Sequence, residues 1–156
     1  MNGIFDRTRL LPGQENMRRI EASRVLLCGS GGVGSWCAEG LVRSGIRHLD
    51  IVDFDTVCPS NVNRQLMATS ATIGQEKVEA MKRRLLEINP EASIGAIRKK
   101  YSEETAPQFD LDSYDYVIDC IDSLKNKALL ILNASASGAR LFSSMGAALK
   151  LDPTKI

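Results

Sequence analysis

The sequence predicts an α/β domain built on a doubly wound, mostly parallel sheet with helices on both faces, and three observations carry that reading. Short apolar runs alternate with segments of helical spacing from Arg24 to Met145. The first apolar run breaks into Gly29-Ser30-Gly31-Gly32-Val33-Gly34, as a buried strand does where it turns tightly into a helix. The chain is 156 residues long, enough to bury one continuous core without disulfides or metals, so one domain over residues 1–156 is expected.

The elements follow in order. GQENMRRIEAS, residues 13–23, suits a helix with Met17 and Ile20 on one face. Residues 24–28 are a short apolar strand, and residues 31–44 have helical spacing through Val33, Trp36, Gly40 and Leu41, a stripe expected to pack inward. Residues 48–54 read as a second buried strand that His48 precedes in a structural role. Asn, Ser, Thr and Pro are frequent across residues 55–72, which marks a long irregular connection of the kind that carries function. From about Gly74 a helical stripe of Val78, Met81, Leu85 and Ile88 runs to Asn89-Pro90, where the residue before proline is pushed out of the helical region. Strands are expected at 92–97, 114–121 and 140–145, with a helix at 124–137 between the last two. The ending LKLDPTKI alternates like a strand, and the chain is expected to be part of something longer, lacking a C-terminal part.

Composition excludes several classes. Hydrophobic residues make up 44% and charged residues 25% with a net charge of +1, which fits neither disorder nor a basic nucleic-acid-binding tail. No apolar run reaches membrane-spanning length and the N-terminus lacks signal-peptide organisation, so the sequence reads as cytoplasmic with no membrane partner. The four cysteines, Cys28, Cys37, Cys58 and Cys120, form no CxxC pair and are expected to be reduced.

The glycine run fits GxGxxG between a strand and a helix, as in Rossmann-like sheets. There, glycines let the backbone approach a ligand, and the helix N-terminus offers free N–H groups to a phosphate. Asp53, at the end of the second strand, stands where a carboxylate accepts ribose hydroxyls. Those features alone suit NAD. Beyond them, Asn61, Asn63, Arg64 and Lys77 leave the same C-terminal edge, and two cations there imply more phosphate charge than a pyrophosphate needs. Asp122, after the strand ending near Ile121, is a carboxylate available to Mg²⁺. No GxxxxGK[ST] is present, which excludes a Walker-type ATPase.

In order, the motifs GxGGxGS, DxD, NxNRQ, GxxK and DCxD occupy residues 29–35, 53–55, 61–65, 74–77 and 119–122. On these motifs the sequence resembles the ubiquitin-activating-enzyme-like adenylyltransferases, the ThiF/MoeB/HesA family, from about Phe5 to the end. The resemblance implies activation of a carboxylate by adenylation. ATP would lie on Gly29, Gly31, Gly32 and Gly34, with Asp53 on the ribose and Asp55 beside it. It further implies that Asn63, Arg64 and Lys77 meet the phosphates, that Asp122 holds Mg²⁺, and that Arg7 reaches across a homodimer into the neighbouring site. Arg7, Arg64, Lys77 and Asp122 are then the catalytic set.

The tail SSMGAALKLDPTKI, with Met145-Gly146 and Asp152-Pro153-Thr154, is most similar to the tRNA threonylcarbamoyladenosine dehydratase branch, which implies tRNA as substrate. Ala147 and Ala148 depart mildly from that pattern. A sulfur-transfer member acting on a ubiquitin-like carrier protein shares the ATP motifs, and a nucleotide-binding module without turnover shares them too. A nicotinamide-dependent dehydrogenase would share only residues 29–34 and Asp53. Cys120 is read as inert core and Trp36 as packing, neither with a chemical role.

Overall fold

The computed structural model of the chain describes residues 3–145 and residue 152. Five strands, β1 (Arg24–Cys28), β2 (His48–Val52), β3 (Ser93–Ile97), β4 (Tyr116–Asp119) and β5 (Arg140–Ser143), form one sheet in the order β3-β2-β1-β4-β5. Every neighbouring pair is parallel. The chain winds outward from β1 through β2 to β3, then crosses back to lay β4 on the other side of β1. The expected sheet is confirmed, and its winding direction reverses between β1 and β4.

Period-two alternation sorts the core into two layers. Val25, Leu27, Leu49, Ile51 and Ile94 face one side, where α3 (Gly34–Ser44) and α4 (Lys77–Ile88) cover them with Ala38, Val42, Val78, Met81 and Leu85. Leu26, Cys28, Val52 and Val117 face the other side, against Tyr101, Leu111 and the Leu130 and Ala134 of α5 (Leu124–Ala136). Because β1 is sandwiched on both faces, it is apolar at every position after Arg24 rather than alternating. The α4 stripe packs as its spacing predicts, and the helix ends at Asn89 before Pro90.

Before β1 lie α1 (Asp6–Arg9), which the sequence reading did not anticipate, and α2 (Gly13–Ala22), with Met17 buried as expected. Among the described residues no helix is long and apolar enough to cross a membrane.

Four expectations need correction. The α3 stripe is rotated: Val33 and Trp36 are 54% and 61% exposed, Gly40 is exposed, and the buried row is Gly34, Ser35, Ala38, Glu39 and Val42. The reason is close approach. A Cβ on Gly34 would stand 1.7 Å from the Gly29 carbonyl oxygen, so the small residues of α3, not its large apolar ones, must meet the glycine turn. The second strand stops at Val52 rather than residue 54, which leaves Phe54 49% exposed. The fourth is only Tyr116–Asp119, because Asp119 Oδ1 accepts the Ile121 N–H at 2.9 Å and folds the chain out of the ladder. The β5 strand likewise ends at Ser143. Residues 146–151 and 153–156, with Gly146, Ala147, Ala148, Pro153 and Thr154 and most of the strand-like ending, lie outside the described residues.

Candidate functional site

In an open parallel sheet, ligands sit beyond the strand C-termini where the winding direction reverses. Here that crevice lies between the ends of β1 and β4, and the glycine turn and residues 120–122 form its floor. Gly29 has φ +92°, and a Cβ on it would meet the Cys120 carbonyl oxygen at 2.6 Å. Only glycine allows this turn with the loop that carries Asp122 pressed against it. Cys120 N–H donates to the Cys28 carbonyl at 2.8 Å, which fixes the loop to the end of β1.

Asp53 is buried beside the turn. Its Oδ2 accepts the Ser30 amide at 2.7 Å and the Ser30 hydroxyl at 2.8 Å, and its Oδ1 accepts the Asp55 amide at 3.0 Å. The carboxylate therefore shapes the turn, while Oδ1 keeps a lone pair for a further donor. Asp55 in turn pairs with Lys77, Nζ to Oδ2 at 2.8 Å, and its carbonyl accepts the Lys77 amide at 3.0 Å. Lys77 is 5% exposed, a buried cation held by one carboxylate at the first residue of α4.

Arg64 lies over the turn from the other side. Its Cγ and Cδ would be 3.4 Å from a Cβ on Gly32, and Nη1 donates to the Ser60 carbonyl and to Asn63 Oδ1, each at 3.0 Å. Asn61 is buried, and its Oδ1 accepts the Cys58 N–H at 2.9 Å, so it shapes the connection. The connection is also pinned where Val57 N–H donates to Gln75 and Gly74 N–H to Val57, both at 2.8 Å.

Two groups escaped sequence reasoning. Gln65 is 5% exposed, its Oε1 has no partner among the described residues, and its Nε2 lies 4.0 Å from where a Gly31 Cβ would be. Its place inside NxNRQ was the only sequence signal. Asp119, fully buried, pairs with Lys127 at 2.6 Å and accepts the Ser143 hydroxyl at 2.6 Å, and Lys127 also donates to the Ser144 carbonyl at 2.8 Å. This buried pair ties β4, β5 and α5 together directly beneath the Asp122 loop. An acidic residue inside an otherwise apolar strand was its signal.

Asp122 itself is exposed at the edge. Among the described residues no three His, Cys, Asp or Glu side chains cluster as a ready-made metal cage. A single edge carboxylate suits Mg²⁺, which keeps waters and uses one or two carboxylates together with phosphate oxygens.

Arg7 is the predicted site residue that the fold sets apart. Its helix is anchored by Arg9, 3.9 Å from Glu21 near the end of α2, three residues before the start of β1. That is the opposite edge of the sheet, about 16 Å of strand away at ~3.3 Å per residue.

Cys120 is half-buried, and both its hydrogen bond with Cys37 and its burial push its thiol up. The same hydrogen bond lowers Cys37 to about 7. Burial pushes the Cys28 thiol up as well. Trp36, expected to pack, instead exposes its ring and donates its indole N–H to the Arg64 carbonyl at 3.1 Å.

Comparison with known proteins adds to this geometry. The model of the ThiF family matches residues 5–156. A tRNA threonylcarbamoyladenosine dehydratase of Bacillus subtilis is 45% identical over 151 residues, covering 97% of this chain and 59% of that protein. The crystal structure of the Escherichia coli tRNA N6-threonylcarbamoyladenosine dehydratase in complex with ATP superposes with a TM-score of 0.92 at 36% identity, covering 96% of this chain and 62% of that one. A molybdopterin-synthase adenylyltransferase of Haemophilus influenzae is 34% identical over 140 residues, 90% of this chain and 55% of that protein. The chain thus spans a little over half the length of these curated relatives.

Proposed function

The chain belongs to the ThiF family, and on that premise we propose that residues 1–156 are the ATP-binding domain of an adenylating enzyme that dehydrates threonylcarbamoyladenosine in tRNA to its cyclic form. The observation that carries the ATP reading is the convergence of Arg64 and Lys77, through Gly32 and through Asp55 and Asp53, on one glycine turn at the reversal point of the sheet. Two cations beside a helix N-terminus suit a triphosphate better than a dinucleotide's pyrophosphate. The dehydratase reading is supported by relatives of that name that match nearly the whole of this chain.

When bound, ATP supplies adenylyl transfer to a substrate carboxylate with loss of pyrophosphate, which makes a carboxylate oxygen a good leaving group. The chain's residues bind and orient. The spare lone pair of Asp53 takes a ribose hydroxyl, and the free N–H groups at the start of α3 face the phosphates. Arg64 and Lys77 offset the charge that grows on the departing pyrophosphate, and Asp122 holds Mg²⁺. Lys77 Nζ has three donor positions and gives one to Asp55, so it can meet a phosphate without surrendering its ion pair. In the modified nucleoside, an internal nucleophile then closes the ring and expels AMP, so no protein nucleophile is needed.

Arg7, on the helix that Arg9 ties to Glu21 at the far edge of its own sheet, acts in this reading on the neighbouring site of a homodimer. A sulfur-carrier protein is the competing acceptor.

Mass spectrometry of digested tRNA tests the acceptor. A protein of the relatives' full length, given ATP and tRNA bearing threonylcarbamoyladenosine, should yield AMP, pyrophosphate and a nucleoside lighter by one water. Unchanged tRNA, with AMP formed on a Gly-Gly-tailed carrier protein instead, moves the assignment to the sulfur-transfer branch.

A further inference from the structure

We propose that Ser35 and Trp36 form a two-point clamp that positions Arg64 and Gln65 over the glycine turn, which makes Trp36 a positioning residue for the nucleotide phosphates. The inference rests on the nucleotide reading above and extends it to residues at the start of α3.

Trp36 is 61% exposed, so burial of its ring does not account for its placement. Its one polar atom, Nε1, donates to the Arg64 carbonyl at 3.1 Å. Its neighbour Ser35, fully buried, accepts the Leu66 N–H on Oγ at 3.2 Å. One bond uses a carbonyl and the other an amide two residues later, so the pair grips the main chain on both sides of Gln65. The gripped segment lies in the irregular connection between β2 and α4, where the Arg64 and Gln65 amides donate to the Asn61 carbonyl at 3.1 and 2.9 Å, and the two bonds from α3 tie that local turn to the glycine run. The clamp comes from the first turn of α3, which the Gly34 to Gly29 contact locks to the turn itself. A shift of residues 64–66 relative to the phosphate cradle would therefore break one of the two bonds.

The gripped side chains are the ones a phosphate would meet. The Arg64 stem crosses Gly32, and the buried Gln65 amide, whose Oε1 has no partner among the described residues, brings its Nε2 toward Gly31. Fixing their backbone beforehand removes ordering that binding would otherwise have to supply.

Trp36→Phe removes the N–H donor and shrinks a ring that is mostly exposed, so the fold should survive. Calorimetry would compare ATP binding by the wild type, Trp36→Phe, Arg64→Ala and the double variant. Trp36→Phe should weaken ATP about three- to tenfold, the range one hydrogen bond carries, with little change in thermal midpoint. In the Arg64→Ala background the same change should cost clearly less than in the wild type, because only Gln65 is then left to position. Wild-type affinity in Trp36→Phe, or losses that simply multiply in the double variant, would overturn the proposal. A wild-type chain that binds no ATP defeats the nucleotide reading alone, and the clamp is then decided without ligand. Amides at 64–66 should exchange with deuterium about threefold faster or more in Trp36→Phe, and unchanged exchange there would overturn it.

Discussion

Asp53 meets two demands at once. Three donors from Ser30 and Asp55 already converge on its carboxylate, and they set the curvature of the glycine turn before any ligand arrives. Arg64, by contrast, is exposed and supports only its own loop. The two side chains should therefore separate in experiment. Asp53→Ala should lower unfolding free energy by about 1.5–3 kcal/mol, the scale of hydrogen bonds to a charged group, and weaken ATP as well. Arg64→Ala should weaken ATP with stability changed by less than about 0.5 kcal/mol. Urea denaturation beside calorimetry reads both quantities. A stable Asp53→Ala that merely binds less ATP would mean that the carboxylate does not organise the turn.

At the scale of elements, α3 shows what could and could not be read from sequence. Its presence, its end at Ser44 and its place after the glycine turn follow from motif and spacing, whereas it starts at Gly34 rather than at residue 31. Its buried face follows from them only at Leu41, because apolarity also marks the exposed Val33 and Trp36 whereas the sheet selects for small size at Gly34 and Ala38. The α4 stripe was legible because large apolar residues meet that side of the sheet. That Asp53, Arg64 and Lys77, proposed for the site, gather beside the glycine turn was legible from the ordered motifs, which follow strand ends. The Asp119–Lys127 pair was not, since its partners lie on different elements and only packing brings them together. Two glycines of α3 make the distinction measurable. Gly34→Ala should destabilise by about 1–3 kcal/mol or more, as its Cβ collides with backbone. Gly40→Ala, with nothing within 4 Å of its Cβ, should stabilise by about 0.5–1 kcal/mol. Thermal denaturation giving the reverse order would restore the stripe that apolarity suggests.

Over the whole molecule, one sheet edge gathers every proposed ATP residue except Arg7, which α1 holds toward the other edge. A second copy supplying Arg7 is consistent with that division, and the remaining residues make a site that one chain can present alone. The central claim is that this edge is built for a triphosphate rather than for a dinucleotide. Isothermal titration of the chain with ATP and Mg²⁺, and separately with NAD, tests it most directly. The two cations and Asp122 predict that ATP binds at least about tenfold more tightly, since each charge-assisted contact is worth about 1.5–3 kcal/mol. NAD binding as tight as ATP, or tighter, would contradict the account.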